Sequence, residues 1–342
     1  MKQSKFIKLN YFLLSLLFFS DGHAQSDQNN KVSVSLLYTA ADVGIFMGIE
    51  KGYFRDQGIS VELNRMTSAA DAIALLATDK LDVGSGSFTP GLLNAFKRGV
   101  PIQIVTEKSN MAPPAGPGSG GILVRNELKA NGTVKSIADL KGRKIAVNSL
   151  QSTSLNYVMR GLAKGGLTRE DVVFVEMPFS QFIPALEKKA VDAVMVYNPL
   201  LQTIDEKMKL ASHMPEADLD KTSKFDTTNL MFYSDKFSKS QTAKSFMIAH
   251  LKAQRDFLRM IQQGNTSEAC RIINKYVPAM PVDCGGMVFG SLNSNGEINI
   301  ESLERYQKEW LQWGVVKDSV DIRKNINYDF VKNANSVLGI YK

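Results

Sequence analysis

The feature that most constrains the fold is an alternation of short strands and helices that occurs twice along the chain. In residues 31–105, apolar strands such as Val32–Leu37 and Ile59–Leu63 alternate with helices that end at glycine. The strand Lys144–Val147 and the helix Thr153–Lys164 begin the same order again. Because such alternation packs parallel strands against helices, the sequence predicts two α/β lobes of similar design.

The segments outside this alternation indicate how two lobes would be joined. A Pro- and Gly-rich stretch, Met111–Gly121, leaves the first lobe, and a polar stretch, Ser212–Asp226, leaves the second. The strand-like Asn229–Tyr233 follows, and from Ser240 on the apolar residues have helical spacing. Two crossings between lobes predict a hinge.

The first residues have the layout of a secretory signal peptide. Lys2, Lys5 and Lys8 precede an apolar run over residues 11–20, and the small residue Ala24 marks a cleavage site. The alternative, a membrane anchor, needs ~20 apolar residues, and this run is shorter. We therefore expect residues 1–24 to be removed and the protein to be exported to the periplasm.

Charge, cysteine and histidine content exclude several classes of protein. The 41 Lys and Arg residues exceed the 34 Asp and Glu residues only slightly and form no stripe with exposed aromatics, so no nucleic-acid partner is expected.

In an oxidising compartment Cys270 and Cys284 would form a disulfide; two separate buried thiols are the alternative. Three histidines give no metal cluster, and His250 lies on an apolar helical stripe that predicts packing. We expect no metal and no cofactor.

Motifs for catalysis are weak. The run Gly116–Gly121 matches the dinucleotide pattern G-x-G-x-x-G, but that pattern requires a strand before it and a helix after it, and here a strand-like segment follows. The sequence contains no phosphate-binding loop of the G-x-x-x-x-G-K-[ST] type, no H-E-x-x-H and no G-x-S-x-G. The sequence favours binding without catalysis.

Four loops at the carboxyl ends of predicted strands carry the candidate ligand-binding residues, because open α/β sheets bind ligands at that edge. Two loops come from each lobe, so they could face each other across a cleft. The candidates are Tyr38 and Asp42; Ser85, Ser87 and Phe88; Ser149, Ser152 and Thr153; and Tyr197 and Asn198.

Each type of candidate has a structural alternative. The hydroxyls could bind an anionic group together with helix N-termini, or merely cap those helices. The aromatic residues Tyr38, Phe88 and Tyr197 could pack against a ligand or belong to the core. Asp42 could cap the following helix or bind an amine or hydroxyl of a ligand.

Three segments resemble the periplasmic substrate-binding proteins of ABC importers, in the branch that serves nitrate, taurine, aliphatic sulfonates and thiamine pyrimidine precursors. They are Gly44–Phe54 with Gly58–Glu62, then Ile137–Val147, and then Ala185-Leu186 with Val191–Ala193. Of the Gly-Ser pair that many members carry after the equivalent of Lys144–Val147, only Ser149 carries over.

The resemblance implies a two-lobed type II fold with mixed sheets, two interlobe crossings and a helical C-terminal region. Lobe 1 would comprise residues 25–125 and 227–342, and lobe 2 residues 126–226. The expected function is capture of a small organic molecule, a sulfonate or carboxylate anion, by a monomer that delivers it to a permease in the inner membrane. The alternative is an enzyme on the same fold, a pyrimidine-precursor synthase or a desulfinase-like protein. A sensory module without its own importer is a third possibility.

Overall fold

The computed structural model of the chain describes residues 30–38, 40–66, 69–111, 120–198, 200–223, 225–277 and 291–342. The predicted signal peptide, most of the Pro- and Gly-rich crossing and Cys284 lie outside the described residues.

The described strands and helices follow the predicted alternation. The strands are β1 (Asn30–Leu36), β2 (Ile59–Arg65), β3 (Val83–Gly86), β4 (Gln103–Asn110), β5 (Gly120–Arg125), β6 (Lys144–Val147), β7 (Val173–Glu176), β8 (Ala193–Tyr197), β9 (Ala211–His213), β10 (Thr227–Tyr233) and β11 (Ser291–Leu292). The helices are α1 (Val43–Glu50), α2 (Ala69–Ala77), α3 (Pro90–Lys97), α4 (Asn126–Ala130), α5 (Thr153–Ala163), α6 (Phe182–Glu187), α7 (Leu200–Gln202), α8 (Leu219–Thr222), α9 (Asp235–Ser238), α10 (Gln241–Gln262), α11 (Thr266–Tyr276), α12 (Ile300–Gln312) and α13 (Asp329–Leu338).

The strands form two mixed sheets, which confirms the predicted α/β fold. The first sheet has the order β11-β4-β10-β3-β1-β2, and the second has the order β7-β6-β8-β5-β9. In the first, β1 is parallel to β2 and β3 while β10 runs antiparallel to β3 and β4. In the second, β6 is parallel to β7 and β8 while β5 runs antiparallel to β8 and β9. We refer to the units built on the first and second sheets as lobe 1 and lobe 2.

Several strands begin or end at other residues than their apolar runs predict. The sequence predicts a strand at Leu81–Gly84, but β3 begins at Val83, because the carboxylate of Asp82 accepts a hydrogen bond from the backbone N–H of Ser33 at 2.8 Å and ends the preceding turn. The prediction for β4 covers Ile102–Val105, whereas the strand continues to Asn110 through polar residues that are buried.

Amphipathic helices bury the faces that their spacing predicts. In α5, Ser152 caps the first turn, and the stripe that includes Leu155, Val158 and Leu162 is fully buried. In the C-terminal region, α10 buries Phe246, His250 and Phe257, and α12 buries Leu303, Tyr306 and Trp310. Among the described residues, every helix is too short or too polar to cross a bilayer.

The segments that connect the lobes lie side by side. Strands β4 and β10 are antiparallel neighbours, and hydrogen bonds continue past their ends. The N–H of Met111 donates to the carbonyl of Asp226 at 2.9 Å, and the N–H of Phe225 donates to the carbonyl of Met111 at 3.0 Å. The ends of the two crossings therefore form a two-stranded ribbon.

Candidate functional site

The candidate residues of lobe 1 follow β1 and β3 at the carboxyl edge of the first sheet. Asp42 directly precedes α1, but its side chain does not cap that helix. Ser85 lies on β3, and both side chains are buried, with exposed fractions of 1% for Asp42 and 2% for Ser85. The hydroxyl of Ser85 donates to Oδ1 of Asp42 at 3.0 Å. Asp42 is therefore a buried carboxylate held by the neighbouring strand.

A buried lysine from β4 completes this cluster. Nζ of Lys108 lies 2.6 Å from Oδ1 of Asp42 and 2.5 Å from Oγ of Ser85, and the lysine side chain has no solvent exposure. The ammonium group neutralises Asp42, so neither alternative predicted for Asp42 describes its main contact. An ion pair in this position cancels the charge of the buried carboxylate at this edge of the sheet.

Helix α10 packs against the cluster that Asp42, Ser85 and Lys108 form. The amide of Gln254 donates to the backbone carbonyl of Lys108 at 3.0 Å. His250 is fully buried, and neither ring nitrogen has a hydrogen-bond partner among the described residues. Burial, followed by the ammonium of Lys108, lowers the pKa of His250 to about 3. A Cβ on Gly44 would lie 3.0 Å from Cε1 of His250, so glycine allows α1 to pack this closely on α10.

Tyr38 lies at the carboxyl end of β1 in a strained conformation. Its φ is +56°, in the left-handed region that bulky residues rarely adopt. The guanidinium carbon of Arg65, the last residue of β2, lies 3.9 Å from the centre of the Tyr38 ring. The ring of Phe46 packs at 5.8 Å between centroids. Partial burial raises the pKa of Tyr38, and the nearby Arg65 opposes that shift.

The loop after β3 contains both core residues and a partly buried one. Phe88 is fully buried and stacks on Trp310 with 5.6 Å between ring centroids, so the packing alternative applies. Ser87, one residue earlier, is half-buried. Thr89 caps α3 by accepting a hydrogen bond from the N–H of Leu92 at 3.0 Å.

In lobe 2, hydroxyls surround the N-terminus of α5. The hydroxyl of Ser152 accepts a hydrogen bond from the N–H of Ser154 at 3.3 Å and donates to the carbonyl of Ser149 at 2.9 Å. Ser149 in turn accepts from the N–H of Gln151 at 3.1 Å. Ser152 is therefore a cap, Ser149 stabilises the loop, and Thr153 is buried beside them.

Ser154 links this loop to the strand end that carries Tyr197. Its hydroxyl donates to Oδ1 of Asn148 at 2.5 Å and lies 2.8 Å from the hydroxyl of Tyr197. The Tyr197 ring meets Tyr157 and Phe179 edge-on, and burial raises its pKa. Asn198 accepts a hydrogen bond from the N–H of Gln202 at 3.3 Å. All four predicted loops thus contribute at least one residue to polar clusters at the carboxyl edges of the sheets.

An ion-pair network joins α5 of lobe 2 to α12 of the C-terminal region. The guanidinium of Arg160 makes two hydrogen bonds to the carboxylate of Glu309, at 2.8 and 2.9 Å. It also pairs with Asp226, which has no solvent exposure and is also paired with Arg305. Because Asp226 directly precedes β10, the network lies at the crossing between the lobes.

A second buried carboxylate lies on the crossing strand β4. Glu107 is 1% exposed and accepts hydrogen bonds from Asn110 at 2.7 Å and Asn293 at 3.0 Å, and also from Thr227 of β10. Burial raises its pKa, against the effect of these donors. The carboxylate therefore ties the two crossing strands to the segment that follows β11.

Sequence reasoning missed Lys108, Arg65 and Ser154. Lys108 belongs to the run Thr106–Ser109, which reads as the exposed end of a strand. The sequence carries no local signal that this lysine is buried, because its partner Asp42 is 66 residues away. Arg65 lies two residues after the predicted strand Ile59–Leu63, at a strand end that is not among the four candidate loops.

Two mixed sheets, paired crossing segments and polar loops at the carboxyl ends of strands in both sheets define the class of two-lobed binding-protein folds. The chain belongs to the NMT1/THI5-like family, whose sequence pattern matches residues 40–260.

Solved structures share this fold over most of the chain. The nitrate-binding periplasmic protein NrtA from Synechocystis PCC 6803 superposes with a TM-score of 0.69 at 16% identity, and the alignment covers 92% of this chain and 90% of that one. The alkanesulfonate-binding protein SsuA from Xanthomonas axonopodis pv. citri, bound to MOPS, superposes with a TM-score of 0.65 at 15% identity, covering 88% of this chain and 98% of that one. At these identities the similarity establishes the fold.

Curated relatives match shorter segments. A Brucella abortus (strain 2308) protein, whose name describes it provisionally as a binding protein, is 29% identical over 158 residues, which are 46% of this chain and 44% of that protein. The 4-amino-5-hydroxymethyl-2-methylpyrimidine phosphate synthase THI11 of Saccharomyces cerevisiae is 31% identical over 107 residues, which are 31% of this chain and 28% of the enzyme. The chain thus spans less than half the length of either relative.

Proposed function

We propose that this protein is the solute-binding component of an ABC-type import system and that it captures a small organic anion, a sulfonate or carboxylate, between its lobes. The observation that carries the proposal is the position of the two polar loop clusters. Both lie at carboxyl edges of sheets in a two-lobed fold, where open α/β sheets bind ligands. Similar folds in proteins named for nitrate and alkanesulfonate binding support an anion as ligand.

The charge distribution supports the same ligand class. Lys108 neutralises Asp42 in lobe 1, and the residues around the N-terminus of α5 supply hydroxyl and amide groups without a formal charge. Helix N-termini favour negative groups. Ligand contacts made to both lobes only in the closed state would drive closure about the crossing ribbon.

We infer further that the ligand leaves unchanged and passes to a permease in the inner membrane, and that a cleaved signal peptide delivers the protein to the periplasm. Ser85 and Lys108 are residue types that can act as nucleophiles, and they lie within hydrogen-bonding distance of each other. Both are buried, however, and the ammonium is paired with Asp42, so the arrangement favours a structural role. Mass spectrometry of each binding compound after incubation tests this: a converted product would make the enzyme alternative correct.

Calorimetry with nitrate, methanesulfonate, MOPS, benzoate and benzenesulfonate tests the binding function. We expect at least one anion to bind and the double variant Ser149→Ala with Thr153→Ala to bind it more weakly. Thr168→Ala is the matched control, because Thr168 also caps a turn in lobe 2 but lies before β7, at the opposite edge of the sheet. Equal affinity in the double variant would remove Ser149 and Thr153 from the site, and absence of binding to every anion would contradict the proposal.

A further inference from the structure

Arg65 is an unassigned cation at the carboxyl edge of lobe 1. In the register of β1 and β2, Arg65 lies opposite Leu36, two residues before Tyr38. It therefore shares an edge of the sheet with the loop that carries Tyr38 and Asp42 and with the end of β3. The side chain is exposed, in contrast to the buried Lys108 and the mostly buried Arg160.

The guanidinium group is held in place, but its donors are available. It lies over the Tyr38 ring at 3.9 Å, and that ring packs on Phe46, which stacks on Tyr276 with 4.5 Å between centroids. Within the described ranges, Arg65 forms an ion pair with no carboxylate. A guanidinium that lies over an aromatic ring makes no hydrogen bond to that ring, so its N–H donors can bind two oxygens of one anionic group.

The surrounding charges leave Arg65 as an uncompensated positive group on this edge. The carboxylate of Asp42, which directly precedes α1, interacts electrostatically with Tyr38. Lys108 neutralises this carboxylate at 2.6 Å. The strained backbone at Tyr38 supports the same interpretation, because strained residues concentrate where a ligand is held. The Tyr38 ring, fixed by this backbone and by its contact with Phe46, positions the arginine before any ligand arrives, which reduces the entropy lost on binding.

We propose that Arg65, positioned by Tyr38, binds the oxyanion group of the ligand by paired hydrogen bonds and selects carboxylates and sulfonates over neutral molecules. The inference rests on the proposed function, since it adds a contact from lobe 1 to the charged end of that ligand. The N-terminus of α5 in lobe 2 then contacts the same anionic group from the other lobe. Tyr38 is a positioning residue in this scheme.

The experiment compares Arg65→Gln and Arg65→Lys with the wild-type protein by calorimetry. The probes are methanesulfonate, MOPS, benzoate and benzenesulfonate, with benzamide as the neutral counterpart of benzoate. We expect Arg65→Gln to weaken binding of the anion about tenfold or more, which corresponds to about 1.4 kcal/mol. Arg65→Lys should recover only part of the loss, because lysine keeps the charge but lacks the planar pair of donors.

Arg98→Gln is the control, because Arg98 is an exposed arginine at the carboxyl end of α3 and its loss changes the net charge equally. Unchanged anion affinity in Arg65→Gln, or equal losses in Arg65→Gln and Arg98→Gln, would overturn the role of Arg65 while the binding function stands. Tighter binding of benzamide than of benzoate by the wild type would do the same. Failure of the wild type to bind any probe would overturn the proposed function and this inference together.

Discussion

Replacing Lys108 by methionine tests whether the buried cluster beneath the candidate site is an ion pair that the fold depends on. The two charged groups lie 2.6 Å apart with exposed side-chain fractions of 0% and 1%. At an effective dielectric constant of about 20, their attraction is ~6 kcal/mol, which offsets the cost of removing both from water. Methionine has a similar length but cannot neutralise Asp42, so we expect the free energy of unfolding to fall by about 3–5 kcal/mol.

The assay is urea unfolding followed by tryptophan fluorescence, since Trp310 is buried and stacks on Phe88. The double variant Asp42→Asn with Lys108→Met removes both charges, so it should lose less stability than the sum of the single variants. A coupling of about 2–3 kcal/mol is expected. Lys97→Met is the control: it breaks the exposed pair with Asp318 and should cost about 1 kcal/mol or less. A Lys108→Met cost no larger than that of Lys97→Met, or additive single effects, would refute the reasoning.

Two further predictions concern the core behind the site and the crossing. The pKa of His250 is about 3 in the folded protein against 6.5 when unfolded, so the unfolded state binds the extra proton and stability falls as the pH drops from 6.5 towards 3. At about 1.4 kcal/mol per pKa unit, the loss of stability amounts to at most about 5 kcal/mol. His250→Leu should therefore flatten the acid side of a plot of the free energy of unfolding against pH. An unchanged plot would contradict this prediction. Arg160→Met should lower the free energy of unfolding in urea by about 3 kcal/mol, because Asp226 keeps Arg305 but loses one of its two cations. The control Lys164→Met, at the exposed end of α5, should lower it by less than about 0.5 kcal/mol. Equal losses in the two variants would show that the network contributes nothing to stability.

The fold could be predicted from the sequence because its two signals are local. Apolar runs of strand length followed by amphipathic helices, such as β6 and α5, need no information about distant residues. The positions of strand ends were harder, because they depend on partners far along the chain. Asp82 ends a turn through the backbone of Ser33, and β4 extends to Asn110 because its polar residues meet α10 and β10.

The candidate site was predictable at the level of loops, but not of contacts. The loops after β1, β3, β6 and β8 were identified from the strand order, and the hydroxyls at the start of α5 lie where helix capping places them. Lys108 could not be assigned to Asp42 from sequence, because 66 residues separate them. For the same reason Phe88 could not be distinguished as a core residue before its contact with Trp310 was known.

The pairing of Cys270 with Cys284 stays a prediction. Cys270 is buried in α11, and Cys284 lies outside the described residues. The lobe boundaries and the monomeric state also stay predictions.

The hydrogen-bonded ends of β4 and β10 have a consequence for how the lobes would move. Two unpaired chain segments could twist about each other. A strand pair that is hydrogen-bonded at Met111 and Phe225 allows mainly bending of the ribbon as a whole. Such a ribbon restricts relative motion towards a single rocking coordinate, so capture and release would retrace one path. Among the described residues, Glu107 and Asp226 are buried at the base of that ribbon, so hydrogen bonds and ion pairs brace the point about which it would bend.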